Sequence, residues 1–183
     1  MTSVAAPYTF NSRDVISRFI AAGFATTIID GLFSSVLSVA AYGSTFSRLF
    51  QGVASVLVGD SAFAGGALTT ALGVLIHGGV AFGWSAVFVF VVLRSGWVRQ
   101  VLDSRFGTFR VAAVYGPFVW SVMSLVLIPL LVQRPPNISF RWWVQFVGHF
   151  PFVGFPIVAL GSGKAFSPSE ESRHRPDEER QVS

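Results

Sequence analysis

Three ionisable side chains, Asp30, His77 and His149, lie inside stretches that are otherwise apolar enough for a membrane interior. A carboxylate accepts hydrogen bonds or takes a proton, and an imidazole can donate, accept or become charged, so the set has the chemistry of a proton, cation or small-ligand site. An ionised carboxylate in hydrocarbon costs at least about 2.5 kcal/mol on insertion scales. Asp30 must therefore find a donor or hold a proton, and the two histidines are the partners the apolar runs offer. Ser124 adds a hydroxyl from a further run. Counted from the basic residue that bounds each run on one side, Asp30 lies 12 positions beyond Arg18, Ser124 14 beyond Arg110, His149 15 before Lys164 and His77 17 before Arg94. The offsets differ by at most five residues, about 7 Å along ideal helices. The four residues are expected to form one polar layer.

Asp30 also belongs to a stripe, Ala22, Thr26, Asp30, Ser34 and Ser38, whose spacing of four defines one small, polar helix face. That face is expected to point into a bundle. The competing reading is structural: Asp30 and a histidine clamp helices together, while Gly79 and Gly83 allow close approach.

Other chemistries find little support. The chain has no Cys, which excludes disulfides, thiolate nucleophiles and zinc-thiolate or iron-sulfur ligation. It has no G-x-x-x-x-G-K loop, H-E-x-x-H or G-x-S-x-G motif and no aspartate-rich cluster. Ser124 with a histidine could serve intramembrane hydrolysis, but serines on membrane helices more often hold helices together. Axial ligation of haem by His77 and His149 lacks any partner for the propionates within the apolar runs. No enzymatic activity, cofactor or metal is expected.

The elements that would position these residues follow from hydropathy. The 183 residues are 52% hydrophobic and only 12% charged, against about 25% charged in soluble domains. Between Ala71 and Leu93 there is no charged residue, a run long enough to cross about 30 Å of hydrocarbon. Four spans are predicted, at about 15–41, 69–93, 111–132 and 140–161. A signal-peptide reading of the first, with Arg13 and Arg18 as its basic region and Ser38-Val39-Ala40 as its cleavage site, conflicts with its length and with Asp30 in the apolar part.

Residues 45–58 differ from the spans. Phe46, Leu49, Phe50, Val53 and Leu57 have helical spacing, with Ser47, Arg48, Gln51 and Ser55 elsewhere, but the apolar part is too short to cross. An interfacial or re-entrant helix is expected, with Asp60 or Ser61 capping the next span. The second and third spans are joined by a short polar connection. Trp142 and Trp143 suit the headgroup level, and Pro151 and Pro156 should kink the fourth span by freeing the carbonyls of Val147 and Phe152. Residues 1–12 read as a flexible end. The densely charged 165–183 reads as a disordered tail.

Ten of the 13 basic residues share one side if the N-terminus is inside, with only Arg48, Arg134 and Arg141 opposite. Both termini are therefore expected to be cytoplasmic. Asn137-Ile138-Ser139, which spells a glycosylation acceptor, then falls outside. The charge reads as topology; a nucleic-acid surface would need a basic face with interleaved stacking aromatics.

Several pieces together, LFQGVAS (Leu49 to Ser55), SAFAGG (Ser61 to Gly66), His77 followed by AFGWSAVF (Ala81 to Phe88), SLVLIPL (Ser124 to Leu130) and His149 with V-G-x-P (Val153 to Pro156), resemble a group of uncharacterised bacterial four-span membrane proteins. More distantly the chain is similar to the YagU-like inner-membrane proteins. The resemblance covers most of residues 15–162 and implies an inner-membrane location without a biochemical activity. The position matched by Ser124 is often Asn in that group.

The expectation is thus an all-α integral membrane four-helix bundle over residues 13–164, with one additional short helix between the first two spans. Its candidate proton- or ligand-binding residues are Asp30, His77, His149 and Ser124. The expected partners are the lipid bilayer, an ion or small molecule and, since four helices leave little room for a conduction path, further copies in a homo-oligomer. No nucleic acid is expected.

Overall fold

The structure is a computed structural model that describes residues 12–163. The expected tail at 165–183 and all of the expected flexible N-terminus except Ser12 lie outside the described residues. Four helices are long and apolar enough to cross a membrane: α1 (Ser12–Ala41), α3 (Gly66–Arg94), α5 (Gly107–Val132) and α6 (Phe140–Gly161). Two shorter ones connect them, α2 (Phe46–Val58) and α4 (Gly96–Asp103). No strand occurs among the described residues. The chain is an all-α, multi-pass membrane protein.

The two faces of α1 show why. Phe24, Ile28, Leu32 and Val36 fall on one line along the helix, and each is more than half exposed. Such a row of large apolar side chains is costly against water and favourable against lipid. Ala22, Thr26, Asp30 and Ser38 are buried on the opposite side. The stripe of small and polar residues therefore faces protein.

Helix α2 is capped by Thr45, whose hydroxyl accepts from the Arg48 N–H at 3.1 Å. It packs against the first turns of α3 so closely that a Cβ on Gly73 would lie 1.8 Å from the Phe50 carbonyl oxygen. Its burial differs from the sequence expectation. Gln51 turns inward and donates to the Gly66 carbonyl at 3.2 Å, while Phe46 and Leu57 are exposed. The amide thus ties α2 to the start of α3, at a carbonyl that also accepts from the Thr70 hydroxyl at 2.9 Å, and apolar side chains at the other edge can face lipid without penalty. Asp60 and Ser61 do not cap α3. Asp60 instead pairs with Arg134 at 3.7 Å, and the Ser61 hydroxyl turns back to the Val58 carbonyl at 2.8 Å.

The connection after α3 also folds further than expected. Ser95 caps α4 by accepting from the Val98 N–H at 3.5 Å, and Val98 and Leu102, one turn apart, are buried against the bundle. They join Phe88, Tyr115, Val119, Val153, Ile157 and Val158 in an apolar core that fills the α4 end of the molecule.

Prolines shape both later spans. The Val147 carbonyl, which Pro151 cannot serve, accepts from the Phe150 N–H, and the next turn widens so that the Phe155 N–H reaches the Phe150 carbonyl. A similar wide turn at Met123–Leu127 precedes Pro129 in α5, with the Ile128 N–H bonded to the Met123 carbonyl. The backbone strain expected as a kink is relieved in α6 by this π turn. It begins directly after His149.

Arginines lie at both ends of the bundle. Arg48 stacks over Phe63 at 4.6 Å and Arg141 over Tyr42 at 3.9 Å, at the end that also carries the Asp60–Arg134 pair. The Arg18 guanidinium lies against Gly163, where the first and last spans meet at the other end.

A second close helix crossing seats α6 on α5, where a Cβ on Gly116 would overlap the His149 carbonyl oxygen. Gly79 and Gly83, which the sequence suggested for close approach, have nothing within 4 Å of a Cβ. Gly116→Ala is expected to push α6 off α5 and destabilise the protein by about 1–3 kcal/mol. Gly79→Ala should stay within about 0.5 kcal/mol of the parent. Thermal unfolding of the two variants in detergent compares them directly.

Candidate functional site

Asp30 projects from the buried face of α1 one turn beyond Thr26, and His77 meets it from the middle of α3. The His77 Nδ1 is 3.9 Å from the Asp30 Oδ2, a charge contact too long for a hydrogen bond. The other ring nitrogen, Nε2, lies 3.2 Å from the Thr27 backbone carbonyl. A carbonyl only accepts, so Nε2 carries the hydrogen. In a neutral His77 the lone pair on Nδ1 then faces the carboxylate.

His149 is held in a comparable way from α6. Its Nδ1 is 2.7 Å from the Gln145 carbonyl one turn earlier, so Nδ1 donates and a neutral ring keeps its acceptor at Nε2. The ring packs on Trp120 of α5, with centroids 4.7 Å apart. His149 is buried, and it is near enough to Asp30 for a charge on either to act on the other.

All three line one cavity of about 630 Å³ in the half of the bundle that holds α2. This is the half opposite the apolar core, which borders the cavity at Val119 and Val153. Helices α1, α2, α3, α5 and α6 all contribute to its wall, and most of the wall is aliphatic or aromatic. Four buried polar atoms without a hydrogen-bond partner belong to residues that line it: Thr26 Oγ1, Asp30 Oδ1, Trp120 Nε1 and Gln145 Oε1. A buried polar atom with no partner costs about 1–3 kcal/mol. Four around one space mark that space as the place where a partner for them belongs.

Among the described residues no group of three His, Cys, Asp or Glu is arranged to hold a metal ion, so Asp30, His77 and His149 share a cavity without converging on a metal-sized point. Ser124 stands apart from them. Its hydroxyl donates to the Trp120 carbonyl at 2.7 Å and accepts from the Trp142 Nε1 at 2.8 Å, which ties α5 to α6 behind the cavity wall. It neither lines the cavity nor bonds an imidazole. Trp142, expected at the headgroup level, turns inward to make this bond, whereas Trp143 is more than half exposed.

No family model, curated protein or solved structure matches this chain. The site therefore rests on its own geometry. Sequence reasoning did not single out Trp120 or Gln145. The available signals were positional: Gln145 stands one helical turn before His149, and Trp120 one turn before Ser124.

Ser124→Ala should leave the Trp142 indole N–H without a partner and cost about 1–2 kcal/mol of stability, read as a lower unfolding midpoint in detergent. Because Ser124 does not line the cavity, any response that depends on Asp30 should be unchanged in this variant.

Proposed function

We propose that the protein binds or relays a proton, or binds a small ligand, in this intramembrane cavity, with Asp30, His77 and His149 as its working groups and without catalysing a reaction. The observation that carries the reading is the facing of His77 Nδ1 and Asp30 Oδ2 while His77 Nε2 is bonded to backbone. With His77 neutral and Asp30 ionised, two lone pairs would confront one another in a poorly solvated place. One proton on either partner removes that repulsion, so the pair is built around a proton that can be gained and released. The orphaned polar atoms beside it supply positions for water or ligand along the same wall.

The segregation of basic residues supports an orientation with both termini in the cytoplasm, by the positive-inside rule. The resemblance to four-span bacterial proteins, and distantly to YagU-like ones, supports a place in an inner membrane. A homo-oligomer is compatible with the exposed apolar faces and is the arrangement a conduction path would need.

A second reading is favoured by the His77–Thr27 bond, which links α3 to the backbone of α1. Here the polar residues only fix helix packing. The two readings separate in proteoliposomes containing a trapped pH dye. Under the site reading, Asp30→Asn and His77→Ala insert and fold but abolish the proton response of the parent. Folded, inserted variants that respond as the parent does would sink it, and loss of folding in both would support the packing role.

A further inference from the structure

We propose that the occupant of the cavity is an amphipathic amine, a compact apolar body carrying one protonated amino group, that reaches the site from the bilayer. The inference rests on the reading of the cavity as a binding site and adds the class of ligand.

The charge balance comes first. Among the described residues, Asp30 is the only acidic side chain that lines the cavity, and no Lys or Arg lines it. The titratable groups facing Asp30 are His77 on α3 and His149 on α6; α2 and α5 contribute none to the wall. Both imidazoles have given a ring hydrogen to a backbone carbonyl, so in their neutral forms they turn acceptors to their other neighbours. Asp30 Oδ1 and Gln145 Oε1 add two buried acceptors without partners. The Trp120 indole N–H and the Thr26 hydroxyl are the unpartnered groups that can donate there, but the acceptors gathered around the one carboxylate match an ammonium group, which has three donors, one positive charge and no acceptor. An anionic headgroup would meet Asp30 with the same sign and find few donors.

The remainder of the wall suits the remainder of such a molecule. Phe50, Trp84 and Trp120 bring aromatic surfaces to the cavity, and aromatic faces attract cations as well as apolar groups. Leu49, Val53, Ile76, Val80 and Met123 are apolar. The volume of about 630 Å³ lies in the range of about 300–1,000 Å³ usual for small-molecule sites. The wall reaches the surface at Leu57 of α2 and Leu131 near the end of α5, and both are more than half exposed. A mouth edged by leucines offers no polar lining for a free ion but admits a molecule already dissolved in lipid.

The arrangement also couples ligand to proton. An ammonium group seated against ionised Asp30 takes the place of the proton that otherwise relieves the Asp30–His77 contact. Each amine bound at neutral pH then displaces a proton, with positive charge conserved in the site.

The probe is 1-adamantylmethylamine, compared with 1-adamantylmethanol, which has a nearly identical body and no charge. Binding to the full chain in lipid nanodiscs is followed by calorimetry, with proton release read in two buffers of different ionisation heat. The amine should bind saturably, at least about tenfold more tightly than the alcohol, and release protons. Asp30→Asn should abolish that preference, and Leu57→Trp, which narrows the mouth, should slow association. Equal affinity for amine and alcohol in the unmodified protein would overturn the proposal without any variant having to fold. So would an amine affinity unaffected by Asp30→Asn. If the amine does not bind while the proteoliposome proton response persists, the ligand class is wrong and the proton site stands. If both are absent, the proposed function fails with it.

Discussion

A carboxylate placed among hydrocarbon has few stable arrangements, and most of this bundle can be understood as the means of giving Asp30 one of them. Water would solvate the group at no structural cost. Within a membrane the same solvation has to come from fixed neighbours, each held by its own helix. His77 provides the nearest, oriented by its bond to the Thr27 carbonyl. His149 provides the second, oriented by the Gln145 carbonyl. Because both rings are held through a donated hydrogen, what they turn elsewhere in their neutral forms is an acceptor, which is the basis of the proposed affinity for a proton or positive charge.

The rest of the architecture supports that arrangement by dividing labour between the two halves of the bundle. Toward α4 the helices meet in a dense apolar core, with Phe88, Ile157 and Val158 fully buried. Toward α2 they enclose a cavity. The division is set partly by the wide turn of α6 after His149, which alters the course of the helix at the level of the site, and partly by Gly116, whose missing side chain allows the His149 backbone to rest on α5. Ser124 and Trp142 fasten the same two helices one layer farther from the core.

Much of this was legible from residue types and spacing. A stripe of Thr26, Asp30, Ser34 and Ser38 at intervals of four has only one way to face in a helix, and burial cost decides that it faces inward. Depth, inferred from the basic residues bounding each span, suggested one layer for Asp30, His77 and His149, and the three residues line one cavity. Depth did not supply rotation. Ser124, counted to a similar level, turns its hydroxyl to Trp120 and Trp142, and Trp142 is buried while its neighbour Trp143 is exposed. Gln51 and the helix at Gly96–Asp103 were misread for a related reason: a polar side chain was assigned to the solvated face although the Gly66 carbonyl of the neighbouring helix lay within its reach, and a charged connection was taken as irregular although Val98 and Leu102 had a core to enter.

What the amino-acid order determined by itself was therefore the solvent, the number and type of the spanning elements, and the residues whose burial had to be compensated, because transfer free energies depend on side-chain type and helical period alone. Which partners do the compensating, where the helices touch and where they leave a cavity were decided only in the tertiary structure. Those depend on the azimuth of each helix about its axis and on contacts between residues as far apart in sequence as Thr27 and His77, which no local pattern encodes.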